Sequence, residues 1–338
     1  MRISRKKLIV FSAFISIAVL TLFLAEIIPR TINVYRGHWT YGGPVKWGVG
    51  FPLSRPVITG DKVVILERHR KNFQLFGFRI FRTARRDFLR DKYPLTARRL
   101  KDGGKVYKRT LKVKGHPLQV HVFWAWGEKI VVWGYYQEIP GSHTRIPMLI
   151  ILDERGKTLK ELDFANRPYA VDPKNDLLIC RDRMYKLPSC EDEIKINLEP
   201  FRYIVTDNMG NLYVNYLDPN AWVDLAEKRV EAIPSIIRKY SVSPWKELWE
   251  IEVVPQSGYP RWLKYEDGLF WCAINRRGGG SFRADKVKWI GPFDTQTGES
   301  IQSQSVVDMY RLQTEVAGKR YVITREDDKL VVSTVADD

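Results

Sequence analysis

Tyr203-Ile204-Val205-Thr206-Asp207-Asn208-Met209-Gly210-Asn211-Leu212-Tyr213-Val214 reads as an apolar strand, a tight polar turn and a second apolar strand. β-Branched and aromatic side chains suit a pleated surface, while Asp, Asn and Gly supply the turn. The phrase recurs at Val57-Ile58 to Val63-Val64-Ile65, Val122-Phe123 to Ile130-Val131-Val132, and Tyr169-Ala170-Val171 to Leu177-Leu178-Ile179. It returns at Trp262-Leu263 to Leu269-Phe270-Trp271 and at Tyr321-Val322-Ile323 to Leu330-Val331-Val332. Between the first residues of successive second strands the intervals are 67, 47, 35, 57 and 61 residues, roughly one propeller blade each.

A second strand pair follows several of the first. Met148 to Leu152 and Thr158 to Leu162 flank the turn Asp153-Glu154-Arg155-Gly156, and Ile236 to Tyr240 and Leu248 to Glu252 flank Pro244. Weaker pairs lie around Pro188 to Asp192 and around Asp294 to Gly298. Two pairs make a four-stranded antiparallel sheet, and six such sheets set radially bury their faces against one another. The expected fold is therefore all-β, a six-bladed β-propeller spanning 56–338. Seven blades or a pair of β-sandwiches are the alternatives. The last copy ends too near Asp338 for a complete blade, so its missing outer strand is expected from Ile32 to Thr40. The stretch Ala84 to Gly104 does not fit a blade and reads as a basic insertion.

Asp207 to Val214, followed by Ile237-Arg238-Lys239-Tyr240-Ser241, resembles a blade of the NHL-type and related bacterial six-bladed propellers. The resemblance implies a binding platform, and some relatives are metal-dependent lactonases or other hydrolases.

Residues 1–29 differ from the rest. After Arg2, Arg5, Lys6 and Lys7, the run Leu8 to Ala25 contains only Ser12, Ser16 and Thr21 as polar members, and Ile27-Ile28 extends it. As a helix it approaches the hydrocarbon thickness of a bilayer, about 30 Å. The positive flank predicts a cytoplasmic N-terminus, a transmembrane signal anchor and a periplasmic or extracellular main domain. A cleaved signal peptide would be shorter and carry a small-x-small site, whereas Phe23 stands two before Ala25. Cleavage and a buried core helix are the other readings. Residues 30–55, rich in Gly, Pro, Trp and Tyr, read as an ordered connector.

The net charge of +16 is uneven: residues 1–29 carry +3, 30–121 carry +17 and 122–338 carry −4. Arg79 to Lys114 holds fourteen Lys or Arg against Asp87, Asp91 and Asp102. Such an excess favours an anionic partner, and a solvated face is the plainer alternative. The candidate binding residues are Arg79, Arg82, Arg85, Arg86, Arg90, Lys92, Arg98, Arg99 and Lys101, facing a membrane protein partner or anionic lipid headgroups. Nucleic acid is not expected, since no recognised motif accompanies the charge.

Signals for chemistry are sparse. Cys180, Cys190 and Cys272 show no haem or zinc spacing and read as buried free thiols. Asp207 to Asn211 carries hard oxygen ligands, but Asp and Asn beside Gly make a two-strand turn. His116 and His121, five apart, fall on opposite faces of a strand rather than on one metal. The other histidines, His38, His69 and His143, suggest no grouping. The tryptophans, among them Trp124, Trp126, Trp133, Trp262 and Trp271, sit largely on strands and read as core. Gly278-Gly279-Gly280 after Arg276-Arg277 does not lead from a strand into a helix, as a phosphate-cradling loop would. No catalytic residue, metal site or cofactor is predicted. The leading reading is a non-catalytic binding or assembly subunit of a membrane complex. Its rival is a metal-dependent hydrolase or lactonase-like enzyme with a site at the central channel.

Overall fold

Each of the six recurring phrases folds as an antiparallel hairpin, in the register that its apolar residues require. The computed structural model describes residues 32–35, 38–41, 56–67, 74–75, 78–79, 94–139, 143–191, 193–198, 201–216, 232–255, 258–266, 268–275, 288–301, 312–326 and 329–335.

Six sheets succeed one another as blades. Blade 1 is Val57–Thr59, Lys62–Leu66, Leu95–Arg99 and Lys105–Arg109. Blade 2 is Gln119–Trp126, Lys129–Tyr136, Ile146–Leu152 and Thr158–Asp163. Blade 3 is Ala170–Asp172, Leu177–Ile179, Arg183–Lys186 and Glu193–Lys195. Blade 4 is Phe201–Thr206, Asn211–Tyr216, Ser235–Ser241 and Lys246–Val253. Blade 5 is Tyr259–Glu266, Leu269–Asn275 and Lys288–Asp294, extended by a bridge from Phe293 to Ser300. Blade 6 is Leu312–Val316, Lys319–Glu326, Lys329–Val335, His38–Tyr41 and Ile32–Tyr35, in that spatial order. The first strands of neighbouring blades touch from blade 1 through blade 5 and so form the inner wall.

The apolar runs of the second strands follow from this arrangement. A strand buried on both faces needs apolar residues at every position, and period-2 alternation divides them between two neighbours. Val64 and Leu66 pack toward blade 2 while Val63 and Ile65 pack toward blade 6. Leu212 and Val214 face blade 3, and Tyr213 between them faces blade 4's other neighbour, blade 5. Among the described residues the core is thus a set of inter-blade clusters. Each fully buried Val, Leu or Ile contributes about 1.5–3 kcal/mol. Trp126, Trp133 and Trp271 are buried as expected of core tryptophans.

Polar latches join blades as well. Thr59 Oγ1 donates to Gly127 O at 2.8 Å, and Trp126 Nε1 donates to Asp176 Oδ1 at 2.7 Å. Further out, Arg109 donates to Gly156 O at 2.6 Å, Lys160 to Ser189 O at 3.2 Å, and Lys239 to Thr295 O at 2.6 Å. In each of these three, a cation of one blade closes on the turn between the third and fourth strands of the next, satisfying a carbonyl that the turn leaves unpaired.

The expected closure is present: His38–Tyr41 pairs with Lys329–Val335, with Trp39 opposite Val332. Two expectations need correction. The sixth hairpin is not the first pair of its sheet, because Leu312–Val316 lies beyond it and turns through Ala317-Gly318. The insertion also has other bounds than 84–104. Leu95–Arg99 is the third strand of blade 1, with Leu95 and Ala97 fully buried. The chain leaves the sheet at Glu67 and rejoins it at Pro94, where Glu67 N donates to Pro94 O at 3.0 Å. Among the described residues no helix is long and apolar enough to cross a membrane; Leu8 to Ala25 lies outside them.

Candidate functional site

The candidate basic residues divide into three groups. Arg79 ends a two-residue strand, paired with Gln74 in a short hairpin inside the excursion from blade 1. Arg82, Arg85, Arg86, Arg90 and Lys92 lie outside the described residues. Arg98, Arg99 and Lys101 are described, and they do not share one environment. Arg98 is only 8% exposed. One guanidinium nitrogen donates to Gly103 O at 3.0 Å, and the other stands 3.9 Å from Glu67 Oε1. Glu67 is itself buried and receives Lys108 Nζ at 2.5 Å. Arg98 thus belongs to the interior of blade 1, where a buried carboxylate offsets its charge.

Arg99 and Lys101 are at the surface. Arg99 grips Asp102 in a fork, with Nε 3.0 Å from Oδ1 and the terminal nitrogen 2.9 Å from Oδ2. This hydrogen bond holds the Asp102 carboxyl below the usual carboxylate range. The surface charge continues past them along the outer strand and the hairpin that follows. Lys105, Lys112 and Lys114 are exposed, and over 94–118 Asp102 is the only acid. Lys-rich edge strands also discourage pairing with other chains. The basic side of blade 1 is therefore an outer edge whose described exposed bases are Arg99, Lys101, Lys105, Lys108, Lys112 and Lys114, Lys108 being paired with Glu67.

The Asp207 turn is a turn. Asp207 Oδ1 accepts from Met209 N and Asn211 N, and Oδ2 accepts from Asn211 Nδ2 and from Tyr213 Oη at 2.9 Å. Gly210 takes φ +78°, the left-handed conformation such a turn needs. The device is wider than the sequence motif suggested. Asp153 caps Arg155 N and Lys157 N, Asp172 caps Lys174 N, and Asp294 caps Gln296 N and Thr297 N. Asn after Gly is dispensable because the carboxylate meets backbone donors whatever side chain follows.

Near Asp207 sits a residue that sequence reading passed over. Lys239 is buried at 3% exposure, and burial lowers its pKa against the opposing pull of Asp207 and Asp294. Its ammonium closes on Thr295 O and lies 5.7 Å from the Tyr213 ring. Lys239 is a blade 4–5 latch.

Among the described residues no group of three His, Cys, Asp or Glu is placed to hold a metal ion. His116 stacks near Tyr136, whereas His121 meets Arg167, so the two do not converge. All three cysteines are free, Cys180 and Cys272 buried and Cys190 half-buried. Burial pushes the Cys190 thiol up to about 11 and raises the other two further. Since the thiolate is the reactive form, an aromatic disulfide reagent at neutral pH is expected to modify Cys190 slowly and the other two only after unfolding. Three fast-reacting thiols in the native protein would contradict this packing.

No family model matches the chain, and no curated protein matches it. Solved structures do. BamB from Moraxella catarrhalis is 12% identical with a TM-score of 0.39, the match covering 90% of this chain and 96% of that one. The Swd1 β-propeller domain from Myceliophteria thermophila is 10% identical with a TM-score of 0.43, again over 90% and 96%. The tricorn protease is 12% identical with a TM-score of 0.42, over 86% of this chain and 27% of that one. By its own blades this chain is an all-β, six-bladed propeller.

Proposed function

We propose that the chain is a single-pass membrane protein whose extracytoplasmic propeller acts as a non-catalytic binding or assembly subunit. It engages a membrane protein partner, or anionic lipid headgroups, through the basic side of blade 1. The observation that carries this reading is the outer edge of that blade, where Lys101, Lys105, Lys112 and Lys114 stand exposed and Asp102 is the one acid in the stretch 94–118. The excursion from Glu67 to Pro94, with Arg79, Arg82, Arg85, Arg86, Arg90 and Lys92, adds to the same charge run in the chain. The apolar run Leu8 to Ala25 supports the anchor, and the resemblance of Asp207 to Val214 and Ile237 to Ser241 to an NHL-type blade supports a binding platform. Near an anionic leaflet each surface cation is worth about 1 kcal/mol, so several together orient a domain.

Screening tests it. The Debye length falls from about 10 Å at 0.1 M salt to about 3 Å at 1 M. Full-length protein extracted from native membranes in mild detergent is expected to run as an assembly with defined companions, or with bound anionic lipid, at low salt. It should separate from them at high salt, and charge reversal at Arg85, Arg86 and Arg90, or at Lys101, Lys105 and Lys112, should have the same effect. Retention of companions at high salt and after both reversals would overturn the basic edge as the binding surface. A lone chain of 39.5 kDa at low salt would overturn the subunit reading.

A further inference from the structure

The outer strands of blades 1 and 4 repeat one local structure with opposite charges. In blade 1 the pairing steps from Ala97↔Tyr107 to Arg98↔Lys105 and leaves Val106 over, 36% exposed. In blade 4 it steps from Lys239↔Trp249 to Tyr240↔Glu247 and leaves Leu248 over, 44% exposed. The aromatic residue after each bulge turns toward the following blade, where Tyr107 lies over Gly156 and Trp249 over Gly298. Charges flank each bulge at the same two places. The segments read Lys105-Val106-Tyr107-Lys108 and Glu247-Leu248-Trp249-Glu250, and all four charged residues are exposed. Blade 2 has the same bulge at Leu159, yet Thr158 and Glu161 stand in those places, so the bulge itself does not call for two like charges.

Each edge also holds a counter-ion from its own sheet. Glu67 receives Lys108 Nζ at 2.5 Å and stands 3.9 Å from Arg98, while Arg238 stands 2.6 Å from Glu250 and 3.8 Å from Glu247. In these contacts one acid serves two bases in blade 1, and one base serves two acids in blade 4. The outer groups stay open to a partner, since the side chains of Lys108, Glu247 and Glu250 keep 34%, 47% and 44% exposure. No described strand pairs with the outer side of either edge. An edge of this kind is a template for another strand, and charge decides which strand it admits.

We propose that the partner of the blade 1 edge is the blade 4 edge of a second copy of this chain. The inference rests on the basic edge as a binding surface and names its occupant. With the two strands side by side in one direction and Val106 level with Leu248, Lys105 falls opposite Glu247 and Lys108 opposite Glu250. Opposite charges across neighbouring strands favour pairing, and the two exposed aliphatics meet between them. The symmetric contacts are excluded, because two blade 1 edges or two blade 4 edges would set like charges face to face. Blades 1 and 4 stand three apart in a ring of six, on opposite sides. A contact between them therefore does not close a dimer: each added copy leaves one edge of either charge free, and the product is an open row.

Carbodiimide coupling, which joins an amine to a carboxylate in direct contact, is the test, applied to the full chain in native membranes at low salt. A ladder of multiples of 39.5 kDa is expected, with peptides that join Lys105 or Lys108 to Glu247 or Glu250. Within one molecule these residues lie across the ring from each other, so such a link forms only between copies. The ladder should weaken at least tenfold at 1 M salt, where the Debye length is about 3 Å. It should weaken as much in K105E and in E247K, each expressed alone, and return when the two variants are expressed together, since each supplies the edge that the other lacks. Both changes leave the Lys108–Glu67 and Arg238–Glu250 pairs in place, so folding is retained. Links from the blade 1 lysines to a different protein, or salt-sensitive binding of anionic lipid with no ladder, overturn this inference and leave the basic edge standing as a binding surface. A ladder that persists in both variants, or whose links lie elsewhere, overturns it as well. A single uncoupled chain without companions overturns both this inference and the subunit reading.

Discussion

Replacing Asp207 with alanine is expected to destabilise the propeller by about 4 kcal/mol, because its carboxylate is buried and serves several donors at once. The change strips acceptors from Met209 N, Asn211 N and the Asn211 amide, and leaves the Tyr213 hydroxyl inside the inter-blade core without its carboxylate. It also removes one of the two negative charges that favour the buried Lys239 ammonium. For a domain of this size the thermal midpoint should fall by roughly 7 °C. Asp153→Ala is the control, since that carboxylate caps only Arg155 N and Lys157 N in an exposed setting, and its loss should cost about 1 kcal/mol. Denaturant unfolding followed by tryptophan fluorescence measures both. Equal losses would mean that Asp207 acts as a turn cap and nothing more.

Gly134→Val should be as damaging, by about 3 kcal/mol or more, through the backbone rather than through lost hydrogen bonds. Gly134 is the second-strand residue opposite Val120, immediately before the pairing skips His121. A Cβ there would collide with Gln119 O, a main-chain atom of the neighbouring strand that cannot swing aside. The strand must separate or the bulge must collapse. In the second case His121 shifts away from Arg167. Thermal unfolding reads the loss. A variant as stable as the wild type would mean that the inner strand relaxes freely and that the bulge is not held in place by glycine.

What was legible in the sequence follows from burial. The six hairpins could be read because their second strands are apolar on both faces and their turns carry Gly, Asp or Asn. The joining of chain ends could be read from a blade that lacked a strand and a connector able to supply it. Leu312–Val316 escaped because Gln313, Thr314 and Glu315 interrupt its apolar pattern and it is nowhere fully buried. Leu95–Arg99 escaped because Arg98 looks like surface in the chain, and only the fold brings Glu67, 31 positions earlier, beside it. Of the candidate binding residues, Arg99 and Lys101 lie on the surface as read and Arg98 does not. The His121–Arg167 meeting and the Lys239 latch join residues of different blades, 46 and 56 positions apart, and local periodicity carries no trace of such pairs.

The last sheet also determines how the molecule carries load. His38–Tyr41 is laid along Lys329–Val335 and Ile32–Tyr35 along His38–Tyr41, so a pull applied ahead of Ile32 acts on a strand bonded along its length. Tension directed along such a strand is shared by all its rungs at once, whereas tension across it would open them one after another. A cut between Tyr41 and Pro56 would leave every blade strand present and make the joining of Ile32–Tyr41 to the ring a matter of one sheet edge.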